Sequence, residues 1–380
     1  MADAQPRRRA RTPERMPLPD MVALVLQGGG ALGAYQAGVY EGLAERAIAV
    51  DWIAGISIGA VNAAIIAGNP PAARTAKLRG FWEQVTAALP VLPLAGGGDE
   101  WREWVHLMSA GYVAAQGVPG FFTPRLLSPM LAPAKSTGAL SFYDSNPLAA
   151  TLDEYVDWDL LNDGPVRVSV GAVNVETGNF RYFDTKRERL DARHIMASGA
   201  LPPGLPPIEI DGGWWWDGGI VSNTPLGHVL ENQREDMLVF QVDLFPARGE
   251  MPATIMDVYA REKDIRYSSR TRQVTDQLLR LRKEREAIRT LIARLPPELA
   301  DDPDAKRLAG MAAEHAVSLV HLIYRKQGWQ GGAADFEFSR ATMEHHWAEG
   351  VAAIAETMRH DALLARNIAD GRTAAFDLAT

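Results

Sequence analysis

Residues 22–33 read VALVLQGGGALG, and this segment gives the clearest indication of the fold. An uncharged run at 22–27 ends in three consecutive glycines, which is typical of a parallel strand buried on both faces. Residues 31–47 are predicted to form a helix, Asp51–Ala54 a second strand and Ser57–Ala67 a second helix. Two consecutive strand–turn–helix units predict an α/β fold with a doubly wound parallel sheet.

The same reading extends along the rest of the chain. Further strands are predicted at 165–175, 179–184, 208–216, 237–243 and 317–324, and further helices at 71–88, 253–295 and 338–368. Residues 89–140 are rich in proline, glycine and aromatic residues and are predicted to be irregular. Long irregular stretches inside a domain are commonly lids or binding loops, so we expect a lid at 89–125.

Composition narrows the class of protein. Of the 380 residues, 47% are hydrophobic and 23% are charged, so a sizeable core is expected. The chain has no cysteine, which excludes disulfide scaffolds, thiolate nucleophiles and sites with cysteine-bound metal. A net charge of −8 argues against a dedicated nucleic-acid partner.

The start of the chain is predicted to be a disordered basic tail, residues 1–20. Five arginines lie within its first fifteen residues. The apolar run at 22–26 is too short for a signal peptide, and Pro17 and Pro19 separate it from the arginines. No apolar run reaches the ~18 to 20 residues of a membrane span. We therefore expect a cytoplasmic protein.

The glycine turn, residues 27–33, has two competing interpretations. Backbone N–H groups at such a strand–helix turn can hold an anion. Gly28, Gly30 and Gly33 match a dinucleotide-binding fingerprint, with Asp51 placed to bind a ribose. The same N–H groups could instead stabilise a transient oxyanion. The turn by itself leaves both open.

A second turn favours the oxyanion. Gly55-Ile56-Ser57-Ile58-Gly59 follows the second strand and opens the next helix, which is the context of a nucleophile elbow. Because the first two strands are neighbours, we expect the Ser57 hydroxyl beside the glycine turn. A dinucleotide-binding oxidoreductase gives Ser57 no role.

Serine needs a neighbouring base to become a nucleophile. None of the eight histidines lies in a clear loop after a strand, where a Ser-His-Asp triad would need one. Asp217 follows Trp214–Trp216 and precedes Gly218 and Gly219, so it emerges at a strand end. Partial exclusion of water there would raise its pKa toward that of a general base. The alternative is that Asp217 only caps the turn.

The chain resembles the patatin-like phospholipase family over residues 22–245. Four blocks occur in the family's order: Gly28-Gly29-Gly30-Ala31-Leu32-Gly33, Gly55-Ile56-Ser57-Ile58-Gly59, Ala197-Ser198-Gly199-Ala200-Leu201-Pro202 and Asp217-Gly218-Gly219. Many relatives carry Arg or Lys where this chain has Leu32, which weakens any expected preference for strongly anionic head groups.

The resemblance implies both a fold and a reaction. The fold is a three-layer α/β/α domain with a mostly parallel central sheet at 21–250, followed by a mainly helical C-terminal extension at 251–380. The reaction is hydrolysis of lipid esters by Ser57 as nucleophile and Asp217 as base. The oxyanion hole comes from Gly28, Gly29 and Gly30, and neither a cofactor nor a metal ion is required. A catalytically silent lipid-binding or scaffold protein is the alternative.

Two groups of residues are candidates for contacts with lipid. The acyl chain is expected to meet aromatic side chains at Trp101, Trp104, Phe121, Phe122 and Trp214–Trp216. The helix predicted at 253–295 carries an apolar stripe that includes Val274, Leu278, Leu281, Ile288 and Ile292, and residues 261–289 hold ten Lys or Arg and five Asp or Glu. This helix could contact a membrane surface peripherally, pair two copies as a homo-oligomer, or pack on the catalytic domain.

Overall fold

The computed structural model describes residues 16–87, 98–268, 280, 284–299, 301–312, 315–325, 330 and 332–378. The strands are β1 (Met21–Leu26), β2 (Trp52–Gly55), β3 (Thr123–Pro124), β4 (Tyr143–Asp144), β5 (Arg167–Asn174), β6 (Phe180–Asp184), β7 (Ile208–Ile210), β8 (Gly213–Asp217), β9 (Met237–Asp243), β10 (Val317–Ile323) and β11 (Ala374–Asp377). The helices are α1 (Gly33–Glu45), α2 (Ile58–Ala67), α3 (Arg74–Val85), α4 (Asp99–Gln116), α5 (Asn146–Tyr155), α6 (Trp158–Asp163), α7 (Ala192–Ser198), α8 (Leu226–Glu231), α9 (Ile255–Tyr267), α10 (Pro303–Ala312), α11 (Arg340–Thr357) and α12 (Asp361–Ala369).

A central sheet organises these elements. Its strand order is β11-β10-β9-β1-β2-β5-β8-β7, with β6 paired to β5. The strands from β11 to β5 in this order run parallel to one another, whereas β6 and β8 run antiparallel to β5. The sheet is therefore mostly parallel, as predicted.

Helices cover both faces of the sheet. Along β1, Val22, Leu24 and Leu26 belong to the large core that includes residues of α1, α2, α3 and α11. Ala23 and Val25 face the other way and pack in a smaller core with residues of α8. This alternation, with each face of a strand covered by helices, confirms the three-layer α/β/α fold.

The region predicted as a C-terminal extension is joined to the same sheet. Strand β10 pairs with β9, and β11 pairs with β10. Helix α11 packs along α1, which follows the glycine turn directly. The residues after 250 thus add two strands to the central sheet and pack a helix, α11, against α1.

Three predictions about secondary structure were wrong. Residues 208–216 form a hairpin of β7 and β8 rather than one strand, because Asp211 and Gly212 both adopt positive φ in the turn between them. Residues 99–116, predicted to be irregular, form the helix α4. The closing helix predicted at 338–368 is divided into α11 and α12 by a 3₁₀ turn at Met358–His360.

The long helix predicted at 253–295 is described in two parts. Helix α9 ends at Tyr267, and residues 284–292 are helical. Val274, Leu278 and Leu281 of the predicted stripe lie outside the described residues, as do residues 1–15 of the predicted basic tail and residues 89–97 of the predicted lid. No helix in the described ranges combines the length and apolarity that crossing a membrane needs.

Candidate active site

A buried glutamine anchors the glycine turn. The Gln27 side chain is fully buried, and its amide nitrogen donates to Thr224 Oγ1 at 2.9 Å and to the Tyr267 carbonyl at 3.0 Å. Its amide oxygen accepts from the backbone N–H groups of Leu244 and Phe245 at 2.6 and 2.9 Å. One side chain therefore ties the end of β1 to Thr224, to the residues that follow β9 and to the last residue of α9.

Two N–H groups of the turn are available for a ligand. The Gly28 N–H donates to the Asn223 carbonyl at 3.3 Å. The N–H groups of Gly29 and Gly30 have no acceptor among the described residues, and both glycines line a cavity. Gly30 has φ +54°, and a Cβ atom there would lie 2.2 Å from the Asp335 carbonyl oxygen, so this position requires glycine.

Asp51 lies at the amino-terminal ends of β1 and β2, whereas the glycine turn lies at the carboxyl end of β1. Its carboxylate accepts from the Val22 N–H at 2.8 Å, at the start of β1. A ribose-binding acid would have to lie near the carboxyl ends of the strands, where the turn is. The dinucleotide interpretation therefore loses the acidic residue it needs.

Ser57 occupies a strained turn between β2 and α2. Its backbone angles are φ 55° and ψ −123°, which only the surrounding structure can impose on a residue other than glycine. A Cβ atom on Gly59 would lie 2.5 Å from the Leu26 carbonyl oxygen, so glycine is needed where this turn crosses β1. Ser57 also precedes the N-terminus of α2, whose dipole favours negative charge nearby.

A third block supports the turn through Ser198. The Ser57 N–H donates to Ser198 Oγ at 3.0 Å, and Ser198 Oγ donates to the Gly171 carbonyl at 2.7 Å. Ser198 is fully buried at the end of α7. Its hydroxyl therefore joins the serine turn to β5.

The register of β5 brings Asp217 to Ser57. Gly55 at the end of β2 pairs with Val170, and Asp217 pairs with Ala172 further along β5. Strand β6 pairs along the other edge of β5, so β2 and β8 share one edge. Asp217 at the end of β8 therefore lies just beyond the end of β2, where Ser57 begins the next helix.

Burial controls the charge of Asp217. The residue is 3% exposed, and removal from water raises the pKa of its carboxyl group to about 7. Hydrogen bonds from the Gly219 N–H, at 2.7 Å, and from the Ser57 hydroxyl favour the carboxylate and oppose this rise. Asp217 thus caps the turn and contacts Ser57, so the two sequence-based interpretations of this residue are compatible.

The cavity above this pair is largely apolar. It has a volume of about 110 Å³ and is bordered by Ser57, Asp217 and the glycine turn. Its aromatic lining consists of Phe121, Phe122, Phe245, Tyr267, Phe336 and Phe338. None of the described residues that line it is a histidine.

The aromatic candidates from the sequence divide into two groups. Phe121 and Phe122 line the cavity, as expected. Trp101 and Trp104 stack on each other at 5.4 Å on the exposed side of α4, and Trp214–Trp216 run along β8. These five tryptophans do not line the described cavity, so the structure does not bring them to Ser57.

Several residues of the site could not be identified from the sequence. Asn223 donates to the Gly28 carbonyl at 3.1 Å and to the Tyr267 carbonyl at 3.0 Å, and it borders the cavity. Asp335 reaches the glycine turn from more than 300 positions away. Neither carries a local signal, because each depends on a contact between distant segments. Ser198 lay in a recognised block, but its role was not visible there.

The fold and this arrangement define a class: an α/β protein with a serine on a strand–helix turn, a buried carboxylate in contact with it and a glycine turn alongside. The chain belongs to the patatin-like phospholipase family. The family model described as patatin-like phospholipase matches residues 24–230, and a second model, described as patatin phospholipase, matches residues 265–370. Membership supports lipid-ester hydrolysis at the level of the family.

Known relatives match a part of the chain. Proteins called uncharacterized NTE family proteins, from Mycobacterium tuberculosis and Mycobacterium bovis, are 27% identical over 208 residues, which is 55% of this chain and 45% of theirs. The chain thus spans less than half the length of these relatives. VipD from Legionella pneumophila is 18% identical over 64% of this chain and 53% of its own, with a TM-score of 0.35. Human GIVD cytosolic phospholipase A2 is 12% identical over 59% and 43%, with a TM-score of 0.33.

Proposed function

We propose that this chain is a serine hydrolase that cleaves carboxylic esters of lipids through a Ser57–Asp217 dyad. The observation that carries the proposal is that Ser57, the buried Asp217 and the glycine turn border one apolar cavity. The Ser57 hydroxyl interacts there with the Asp217 carboxyl group, and burial raises the pKa of that group to about 7. A carboxylate with that pKa is a far stronger base than an exposed aspartate and is still ionised above neutral pH.

The first step forms an acyl-enzyme. The Asp217 carboxylate takes the hydroxyl proton of Ser57 while Ser57 Oγ attacks the ester carbonyl carbon. Negative charge moves onto the carbonyl oxygen, where the free N–H groups of Gly29 and Gly30 can bind it. Each such donor contributes about 3 kcal/mol to stabilising the tetrahedral intermediate. The alcohol then leaves with the proton held by Asp217.

The second step releases the acid. Water enters in place of the alcohol and gives a proton to Asp217 as its oxygen attacks the acyl carbon. The Ser57 oxygen leaves and recovers that proton, which regenerates the free site. The proposal uses two N–H donors rather than the three expected from the sequence, because the Gly28 N–H is bonded to Asn223.

The surroundings of the dyad support an acyl substrate. An apolar, aromatic cavity opens directly above Ser57 and can hold the hydrocarbon part of an ester. The chemistry needs no group beyond the chain's own side chains and amides. The proposed partner is therefore a lipid or another acyl ester.

A fluorophosphonate probe and two substitutions test the proposal. Ser57→Ala is expected to abolish both covalent labelling and hydrolysis of p-nitrophenyl butyrate, and Asp217→Asn is expected to lower hydrolysis by at least a hundredfold. Ser128→Ala, at an exposed serine outside the cavity, is the matched control and should retain full activity. Activity close to that of the unmodified protein in either dyad variant would refute the proposal. Labelling at a serine other than Ser57 would also refute it.

A further inference from the structure

A segment from the C-terminal part of the chain reaches back over the catalytic turn. We call residues 332–338 the strap. The Asp335 carbonyl accepts from the Ala31 N–H at 2.9 Å, next to the free N–H groups of the glycine turn. Asp335, Phe336 and Phe338 also line the cavity above Ser57. The strap therefore forms one wall of the candidate active site.

Two side chains of the strap, those of Asp335 and Glu337, bind to neighbouring helices. The Asp335 carboxylate pairs with Lys263 of α9 at 2.5 Å. Glu337 is 1% exposed, accepts a hydrogen bond from Ser109 of α4 and lies 3.4 Å from His106 on the same helix. Anchors on two helices and on the glycine turn fix the position of the residues between them.

The two phenylalanines of the strap occupy different parts of the cavity. Phe338 is 4% exposed and packs against Phe121 with 6.2 Å between ring centroids, so it lies on the buried side. Phe336 is 49% exposed, with the Lys263 ammonium 5.5 Å from its ring, so it lies on the solvent side. Both rings border the cavity that an acyl chain bonded to Ser57 would enter.

The volume of the cavity limits the chain that fits. An apolar cavity of about 150 Å³ holds a benzene molecule, which has six carbon atoms. The cavity here measures about 110 Å³, which leaves room for about four carbons on the same scale. Longer chains would have to extend past Phe336 into solvent, where their methylenes gain little from burial.

We propose that the strap sets the acyl chain length that this enzyme accepts, with Phe338 limiting the depth of the site and Phe336 its mouth. The inference rests on the proposed hydrolase function and makes it more specific. The preferred substrates are esters of short acyl chains of about four to six carbons. The C-terminal part of the chain thereby determines substrate choice at a centre whose reacting groups all lie before residue 218.

A series of p-nitrophenyl esters from C2 to C12 tests this inference. For the unmodified protein, kcat/KM should be highest at C4 to C6. Phe338→Leu and Phe338→Ala should move the optimum to longer chains, because each methylene newly buried is worth about fourfold in kcat/KM. Two added methylenes then raise the C8-to-C4 ratio by at least tenfold. Phe336→Ala should ease entry of C10 and C12 esters.

Phe183→Leu is the matched control, because Phe183 is fully buried but absent from the cavity lining. It should lose stability as Phe338→Leu does and leave the chain-length profile unchanged. If Phe338→Ala fails to fold, Phe338→Leu and Phe336→Ala still decide the question. A C8-to-C4 ratio within twofold of the original in both would overturn the proposal.

A binding measurement separates this inference from the proposed function. Titration calorimetry compares butanoate, hexanoate and decanoate binding to Ser57→Ala and to Ser57→Ala with Phe338→Leu. We expect the second substitution to improve the affinity for decanoate relative to butanoate by at least tenfold. No labelling of Ser57 in the unmodified protein would refute the hydrolase alone, whereas equal affinity ratios in both proteins would refute the role of the strap.

Discussion

Replacing Asp217 by asparagine should make folding stability less dependent on pH. The carboxyl group has a pKa of about 7 in the folded protein because it is buried, against about 3.9 in an unfolded chain. Below pH 4 both states hold the proton. Between pH 4 and 7 the unfolded chain releases its proton while the folded protein keeps it, so the free energy of unfolding falls. The stabilisation that the protonated Asp217 contributes at low pH is fully lost once the pH passes about 7.

The size of the effect follows from the difference in pKa. Each unit corresponds to about 1.4 kcal/mol, so the two pKa values give a loss of about 2 to 3 kcal/mol between pH 5 and 8. Asparagine does not ionise and escapes this loss. Its side-chain oxygen can still accept the Gly219 N–H, which is 2.7 Å from the carboxylate in the native protein. The variant should therefore be inactive and, relative to the unmodified protein, increasingly stable as the pH rises.

Urea unfolding of both proteins at pH 5, 6, 7 and 8 measures this difference directly. We expect the free energy of unfolding of Asp217→Asn, minus that of the unmodified protein, to increase by about 2 to 3 kcal/mol across the series. Asp153→Asn, on the exposed side of α5, controls for general effects of the same substitution. A difference that stays constant with pH, or that decreases, would refute the account of Asp217 as a group whose ionisation burial opposes.

Three further predictions concern the same centre. The value of kcat/KM should rise about tenfold per pH unit below pH 7 and level off above it, because only the ionised Asp217 accepts a proton; a flat profile between pH 5 and 8 would contradict its role as base. Ser198→Ala leaves the Ser57 N–H and the Gly171 carbonyl without their shared partner, so we expect a loss of about 1 to 3 kcal/mol in urea unfolding and a lower kcat with little change in KM. Gly30→Ala places a Cβ atom 2.2 Å from the Asp335 carbonyl oxygen, and steady-state kinetics should show a reduction of about a hundredfold or more in kcat; an unchanged kcat would mean that the glycine turn tolerates the shift.

The sequence predicted most accurately the parts of the fold that are encoded locally. The uncharged run of β1 followed by glycines, and the glycines on both sides of Ser57, each specify a strand, a tight turn and a helix within a few residues. Predictions failed where a short signal lay inside a longer pattern. Asp211 and Gly212 form a turn within a run that otherwise reads as one strand.

Helix α4 shows a different limit. Its exposed side carries Trp101, Trp104 and Tyr112. The prediction of an irregular segment came from the prolines on either side, because residues 99–116 themselves contain none. In the structure its buried side carries His106 and Ser109, which meet Glu337 from the distant strap. Tertiary contacts of this kind stabilise a helix beyond what its own sequence contributes.

Local sequence patterns were enough to predict which chemical groups the site has and on which kind of turn each one lies: Ser57 between a strand and a helix, Asp217 at a strand end and glycines after β1. Only long-range contacts bring Ser57 and Asp217, 160 positions apart, to one cavity and make the strap a wall of that cavity. The first kind of information is local, because turns and periodic burial depend on neighbouring residues. The contact between distant residues depends on how β5 pairs. This strand extends beyond the end of β2 and leaves an edge on which β8 can pair. That register is fixed by packing across the whole sheet.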